Sequence, residues 1–167
     1  MIDMVVQQFQ GISPAWATFF IAMLPILEVR GAVVLGIEFF HLPIVSVMGL
    51  SFFGSVIPAI LLPALLEIVE RPLRKAVPFV DRLFVWISQH VEHRYTDKYR
   101  AMGSLGLILF IAIPLPGTGV WTGALAAWIF SIPKRYAIPA IIMGTGAATL
   151  IVTLTTLGGF ALFRAVV

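Results

Sequence analysis

Residues 101–133 read AMGSLGLILFIAIPLPGTGVWTGALAAWIFSIP, a run without one Asp, Glu, Lys or Arg, interrupted at its centre by Pro114-Leu115-Pro116-Gly117-Thr118-Gly119. As one straight helix this run would be about 50 Å long at about 1.5 Å per residue, too long for a bilayer core of about 30 Å. Two full spans need about 40 residues, so it is too short for a pair of them. The length fits two half-helices that meet at a Pro/Gly tip near the middle of a membrane, a re-entrant hairpin over residues 103–132. Irregular backbone at that depth is tolerated where it is buried in protein or lines a water-filled cavity.

The same pattern appears upstream. Ala15 to Phe40 is apolar at both ends, but Pro25, Glu28, Arg30 and Gly31 break its middle, which predicts a first hairpin over 15–40 with its tip near Leu27. Ser13-Pro14 reads as its start, an N-cap followed by Pro in the first turn. Each broken segment closes at a short link containing Pro43 or Pro133, and each is followed by an apolar run: a span over 42–69 and another over 136–163. The order of features repeats although the two halves share little sequence. The predicted fold is an all-α integral membrane protein, an inverted repeat of two units (re-entrant hairpin plus transmembrane helix). Residues 1–70 form the first repeat, 71–100 a cytoplasmic amphipathic connector and 101–167 the second, within a single membrane domain. Facing discontinuous helices from inverted repeats are a recurrent transporter plan.

Composition agrees. The chain is 60% hydrophobic and 11% charged, where soluble domains run near 45–50% and about 25%. The charge-free runs 42–66, 101–133 and 136–163 are each long enough for membrane helices. Met1 to Gln10 holds no Lys or Arg, so no cleaved signal peptide is expected, and Met4 to Ile12 fits a short interfacial helix. Cys is absent, which excludes disulfides and thiolate chemistry. The net charge of +3 does not imply nucleic acid, because the basic residues flank the spans.

Seven of the eleven basic residues lie in 71–100, within which Leu73, Val77, Val80, Phe84, Ile87 and Val91 recur every three or four positions. That is the apolar stripe of a membrane-surface helix, expected over 79–93. With both broken segments re-entrant, residues 71–100 and Lys134-Arg135 share the cytoplasmic face and both termini lie outside. With four ordinary spans, Lys134-Arg135 falls outside and both termini lie inside. The positive-inside rule accepts either arrangement.

Glu28 and Arg30 carry the strongest functional signal. A charge at the centre of a membrane helix costs about 2.5–3.5 kcal/mol on insertion scales, and such groups face a cavity or a partner. In extended chain, residues two apart point the same way, so an unwound tip would send both side chains into one cavity; the bland alternative is a structural ion pair to the other hairpin. Burial and a neighbouring guanidinium act on a carboxyl's proton affinity in opposite senses, the setting for proton exchange. The fork of Arg30 suits phosphate or carboxylate. At the second tip, Pro116, Gly117, Thr118 and Gly119 precede a half-helix whose free N–H groups and dipole suit an anion. Gly119 and Gly123 equally suit close helix packing. Trp121 is a candidate cavity wall or an ordinary packing aromatic. Glu67 with Arg71, and Glu70 with Arg74, read as solvated pairs one helical turn apart. His90 and His93 make too few ligands for a metal. No cofactor motif and no nucleophile–base pair appears, so neither a cofactor nor an enzyme is expected.

At these motifs the chain resembles the small multidrug export protein family of bacteria and archaea. Pro25-Ile26-Leu27-Glu28-Val29-Arg30-Gly31-Ala32 is similar to its first-hairpin signature, with Val34 where a late Pro is expected. Residues 114–127, from Pro114 to Ala127, resemble its second. The resemblance spans nearly the whole chain and implies export of small molecules from a prokaryotic plasma membrane. The family is similar in layout to DedA-type proteins, which are associated with moving lipids and usually carry an Arg after the second Pro-Gly; that place is Gly119. The reading is a multi-pass transporter, proton-coupled, that moves a small molecule or lipid-like anion through a midplane site. The alternative is a membrane scaffold without transport. Expected partners are membrane lipids, the substrate and a second copy of the chain in a dimer.

Overall fold

The computed structural model describes residues 11–79, 81, 82, 85, 97–115 and 117–166. Every regular element among them is helical: α1 (Pro14–Met23), α2 (Glu28–Val34, continuing into a π-helical turn Leu35–Phe39), α3 (Ile44–Ala76), α4 (Asp97–Ala112), α5 (Val120–Ile129) and α6 (Lys134–Val166). Two of them, α3 and α6 to Gly159, are long and apolar enough to cross a membrane, with mean hydropathy 2.1 and 1.9. Of the expected interfacial helix over residues 4–12 only Gly11 and Ile12 are described, as a turn and a bend, and the stripe residues Val80, Phe84, Ile87 and Val91 lie outside the described residues; Phe79, Asp81, Arg82 and Val85 are helical.

Helix boundaries follow from local chemistry. Ser13 is extended (φ −60°, ψ 143°) and Pro14 opens α1, where a missing N–H costs nothing. Leu24 is extended at ψ 139° because Pro25 follows it, and a residue before proline is pushed out of the helical region. Ile113 precedes Pro114, and α4 stops at Ala112 for the same reason. Neither α1 nor α5, ten residues each, reaches across a bilayer: each is about 15 Å long.

The chain divides into two compact units. One runs to Ser55 and resumes at Ala148; the other is Val56–Ala147. In the first, α1 and α2 form a hairpin, with Ile21 and Ala22 packed on Ala32 and Leu35. The start of α3 lies alongside: Val47 joins Val29, Val33, Ala148 and Val152 in a buried cluster. Ser55 Oγ donates to Ala22 O at 2.9 Å, satisfying a carbonyl that the end of α1 leaves open. A Cβ on Gly54 would stand 2.4 Å from Phe19 O, so only glycine allows this approach.

In the second unit α4 and α5 form another hairpin. Ile111 fills the space above Gly123, and Gly103 lies beside Ile132, so the chain leaves and returns at the same end. Leu107, Ile111, Val120 and Ala124 share a buried cluster with Ala59 and Leu62 of α3 and Ala137 and Ile141 of α6. A Cβ on Gly144 would stand 3.0 Å from Ile108 O. Lys134 Nζ pairs with Glu67 Oε2, so the end of α3 meets the start of α6.

Several features recur at a fixed distance along the chain. Both long helices are 33 residues and begin directly after a proline, Pro43 or Pro133. Two positions before each proline stands a residue of left-handed φ, His41 at 51° and Ser131 at 53°. Gly54 and Gly144 are each the eleventh residue of their helix, and each faces a carbonyl of the preceding hairpin's first helix. All three pairs lie 90 positions apart.

Candidate functional site

The break between α1 and α2 builds the first tip. Leu24 to Leu27 turn, Glu28 N–H donates back to Leu24 O at 3.0 Å, and Gly31 N–H to Leu27 O at 2.8 Å. Glu28 heads α2 with φ 47°, a conformation uncommon outside glycine and found where the surroundings impose it. The expectation of extended chain from Glu28 to Arg30 is thereby corrected. Arg30 lies in the first helical turn, and the left-handed Glu28 turns its own side chain towards it. Arg30 Nη1 donates to Glu28 Oε2 at 3.2 Å. Glu28 is 6% exposed and the Arg30 side chain 23%. A carboxylate is therefore held inside, with its guanidinium partner reaching further out.

Val29 and Val33, on the helical face beside this pair, anchor α2 to the cluster with Val47 and Val152. The surrounding helices also carry buried hydroxyls: Ser51 and Ser55 on α3, and Thr149, Thr153 and Thr156 on α6. Thr153 Oγ1 donates to Thr149 O at 2.7 Å. Ser51 Oγ is buried without a hydrogen-bond partner among the described residues. The sequence reading passed over these residues. Their signal was Ser and Thr at four-residue spacing in otherwise apolar helices, which places them on one face.

The second tip has a different construction. Pro116 lies outside the described residues. Gly117 has φ 83° and Gly119 φ 155°, the latter a region open only to glycine. Gly119 caps α5 and its carbonyl accepts from Gly123 N–H at 2.7 Å. Thr118 closes the loop: its Oγ1 donates to Ile113 O at 2.7 Å and Leu115 O at 2.9 Å. Its N–H donates to Leu115 O at 3.2 Å. Trp121 packs, partly buried, against the core of its unit. Glu28 and Arg30 are thus brought together; the first tip and the second belong to different units.

Glu70 pairs with Arg74 at 3.3 Å, as spacing suggested. Glu67 pairs with Lys134, and the side chain of its expected partner Arg71 lies outside the described residues. No group of three or more potential metal ligands occurs among the described residues.

Residues 28–151 match the family described as "Putative small multi-drug export protein". No curated protein and no solved structure matches the chain.

Proposed function

Because the chain belongs to the small multi-drug export protein family, a family of membrane export proteins, we propose that it is a secondary exporter. Its Glu28–Arg30 pair binds substrate and couples its movement to protons at mid-membrane. The observation that carries the reading is the buried pair itself: a carboxylate 6% exposed, left-handed at the break between two half-helices, 3.2 Å from its guanidinium. Intramembrane ionisable residues mark substrate and proton routes. A scaffold has no use for one in a strained backbone position.

The two hairpins are re-entrant on this proposal, and the halves form an inverted repeat in a prokaryotic plasma membrane. Support comes from the helix lengths, from the return of α5 to the end where α4 begins, and from the features 90 positions apart. Ser55 reaches the end of α1 from the twelfth residue of α3. The first tip is therefore about 17 Å along that helix, close to half of a core of about 30 Å. The Lys134–Glu67 pair supports a common membrane face for 71–100 and Lys134-Arg135.

Glu28 exchanges a proton and Arg30 contacts the anionic part of a small molecule or lipid-like substrate. Transport into proteoliposomes under an imposed pH gradient tests this. Glu28→Gln should fold and lose the pH dependence, and Arg30→Lys should transport poorly, because a point charge does not reproduce the guanidinium fork. Undiminished, pH-dependent transport by Glu28→Gln would overturn the coupling role. If both variants misfold, the pair is structural.

A further inference from the structure

A second polar site lies in the unit Val56–Ala147, whereas Glu28 and Arg30 belong to the other unit. A cavity of about 290 Å³ opens between the end of α3, the end of α5 and the start of α6. Its floor is apolar and made of small residues, among them Ala124, Ala127 and Ala137. Four charged side chains line it: Glu67, Glu70, Arg74 and Lys134. Glu70 uses both oxygens, Oε1 accepting from Arg74 Nη1 at 3.3 Å and Oε2 from Trp128 Nε1 at 3.3 Å. Arg74 Nε reaches Asp81 Oδ1 at 2.8 Å, and Lys134 pairs with Glu67.

We propose that this cavity binds the headgroup of a zwitterionic phospholipid carrying a phosphate and a primary ammonium, as in phosphatidylethanolamine. The lining has two carboxylates and two cations. A lone anion or a lone cation would meet as many like charges as opposite ones, whereas a ligand bearing both signs is matched. Carboxylates favour an ammonium that has N–H to donate, which a quaternary headgroup lacks. Lys134 and Arg74 supply the phosphate contacts, the Arg by its fork.

Position selects a lipid over a free solute, on the membrane reading given above. The cavity lies where one apolar span ends and the other begins, the level at which Trp and basic side chains collect. Leu65, Ile68 and Phe130 are exposed on the same unit, a surface for acyl chains. The Glu67 and Lys134 side chains are 54% and 37% exposed. Ion pairs at such a lip are weak and exchange readily with ligand charges. The lipid site shares no residue with the transport site, so Glu28→Gln leaves it intact and its loss leaves the transport proposal standing.

The experiment is native mass spectrometry of the delipidated full chain in detergent. It is titrated with phosphatidylethanolamine, phosphatidylcholine, phosphatidylglycerol and soluble phosphoethanolamine. One phosphatidylethanolamine should bind at least tenfold more tightly than either other lipid or the soluble headgroup. Lys134→Gln and Glu67→Gln should each abolish that preference. The reciprocal exchange Glu67→Lys with Lys134→Glu keeps an ion pair between the helices, so it serves if the single variants do not fold. It should retain the melting temperature but lose the preference, because the acyl chains fix which end of the headgroup lies deeper. Equal binding of all three lipids, an unchanged preference in the exchanged variant, or equal binding of soluble phosphoethanolamine would each overturn the proposal.

Discussion

Gly54→Ala tests the packing of the first hairpin directly. The added Cβ would lie 2.4 Å from Phe19 O and 2.9 Å from the Cβ of Ala22. The first obstacle is backbone and cannot rotate away. Restoring an ordinary carbon–oxygen contact of about 3.3 Å requires α1 to retreat by about 1 Å. That retreat also stretches the 2.9 Å bond from Ser55 Oγ to Ala22 O beyond useful length. Overpacking costs about 3 kcal/mol at the upper end of its usual range, and the lost hydrogen bond about 1 kcal/mol. The better helix propensity of Ala returns about 1 kcal/mol, which leaves a net loss of about 3 kcal/mol. Gly49 is the control: it lies on the same helix, and a Cβ there meets nothing within 4 Å. Gly49→Ala should therefore gain about 1 kcal/mol. The two variants should differ by about 4 kcal/mol, roughly a thousandfold in the unfolding equilibrium. At about 2–4 °C per kcal/mol for a chain of this size, Gly54→Ala should melt about 6–12 °C below wild type. The readout is the fraction remaining monodisperse after heating in mild detergent. Equal melting temperatures for the two alanine variants would refute the close approach of α3 to α1.

Other perturbations have equally definite outcomes. Gly144→Ala should destabilise less than Gly54→Ala, since its nearest carbonyl, Ile108 O, is 3.0 Å from the new Cβ rather than 2.4 Å; the same melting assay ranks them. Ser55→Ala removes the partner of a buried carbonyl and should cost about 1–3 kcal/mol, read as a lower melting temperature without a change in far-ultraviolet circular dichroism. His41→Gly and Ser131→Gly relieve left-handed backbone at exposed links and should each stabilise by about 0.5–1 kcal/mol. The chain has no native Cys, so Glu67→Cys with Lys134→Cys offers a clean oxidative cross-link. A band of faster mobility in membranes is expected, and its absence with single-Cys labelling from opposite faces would place the two residues on different sides.

Much of the helical architecture was legible because its causes are local. Pro25 and Pro114 end helices through their effect on the preceding residue, and Ser13-Pro14 starts one. A run without charges from 42 to 66 has few uses outside a membrane. That Glu28 and Arg30 would share one place was expected, but not their direct contact: spacing gives separation along the chain but not the left-handed φ that turns one side chain back. The site at Trp128 was invisible for another reason. Glu67 and Glu70 have plausible partners one turn away on α3, and nothing in the spacing reveals that Lys134, from a distant helix, competes for one of them. Gly54 and Gly144 read as generic small residues until the carbonyl each one faces is known.

The division of the chain has a consequence for how the protein is made. The unit containing Glu28 is completed by residues from Ala148 onward, with Ala148 and Val152 covering Val29, Val33 and Val47. A ribosome must therefore finish more than ninety further residues after the first hairpin has emerged before the last of its partners exist. During that interval α2 waits without the helix that will cover Val29 and Val33. Prolonged contact with an insertase or chaperone at the first hairpin, released only once α6 has been translated, is the expected signature of such an order of assembly.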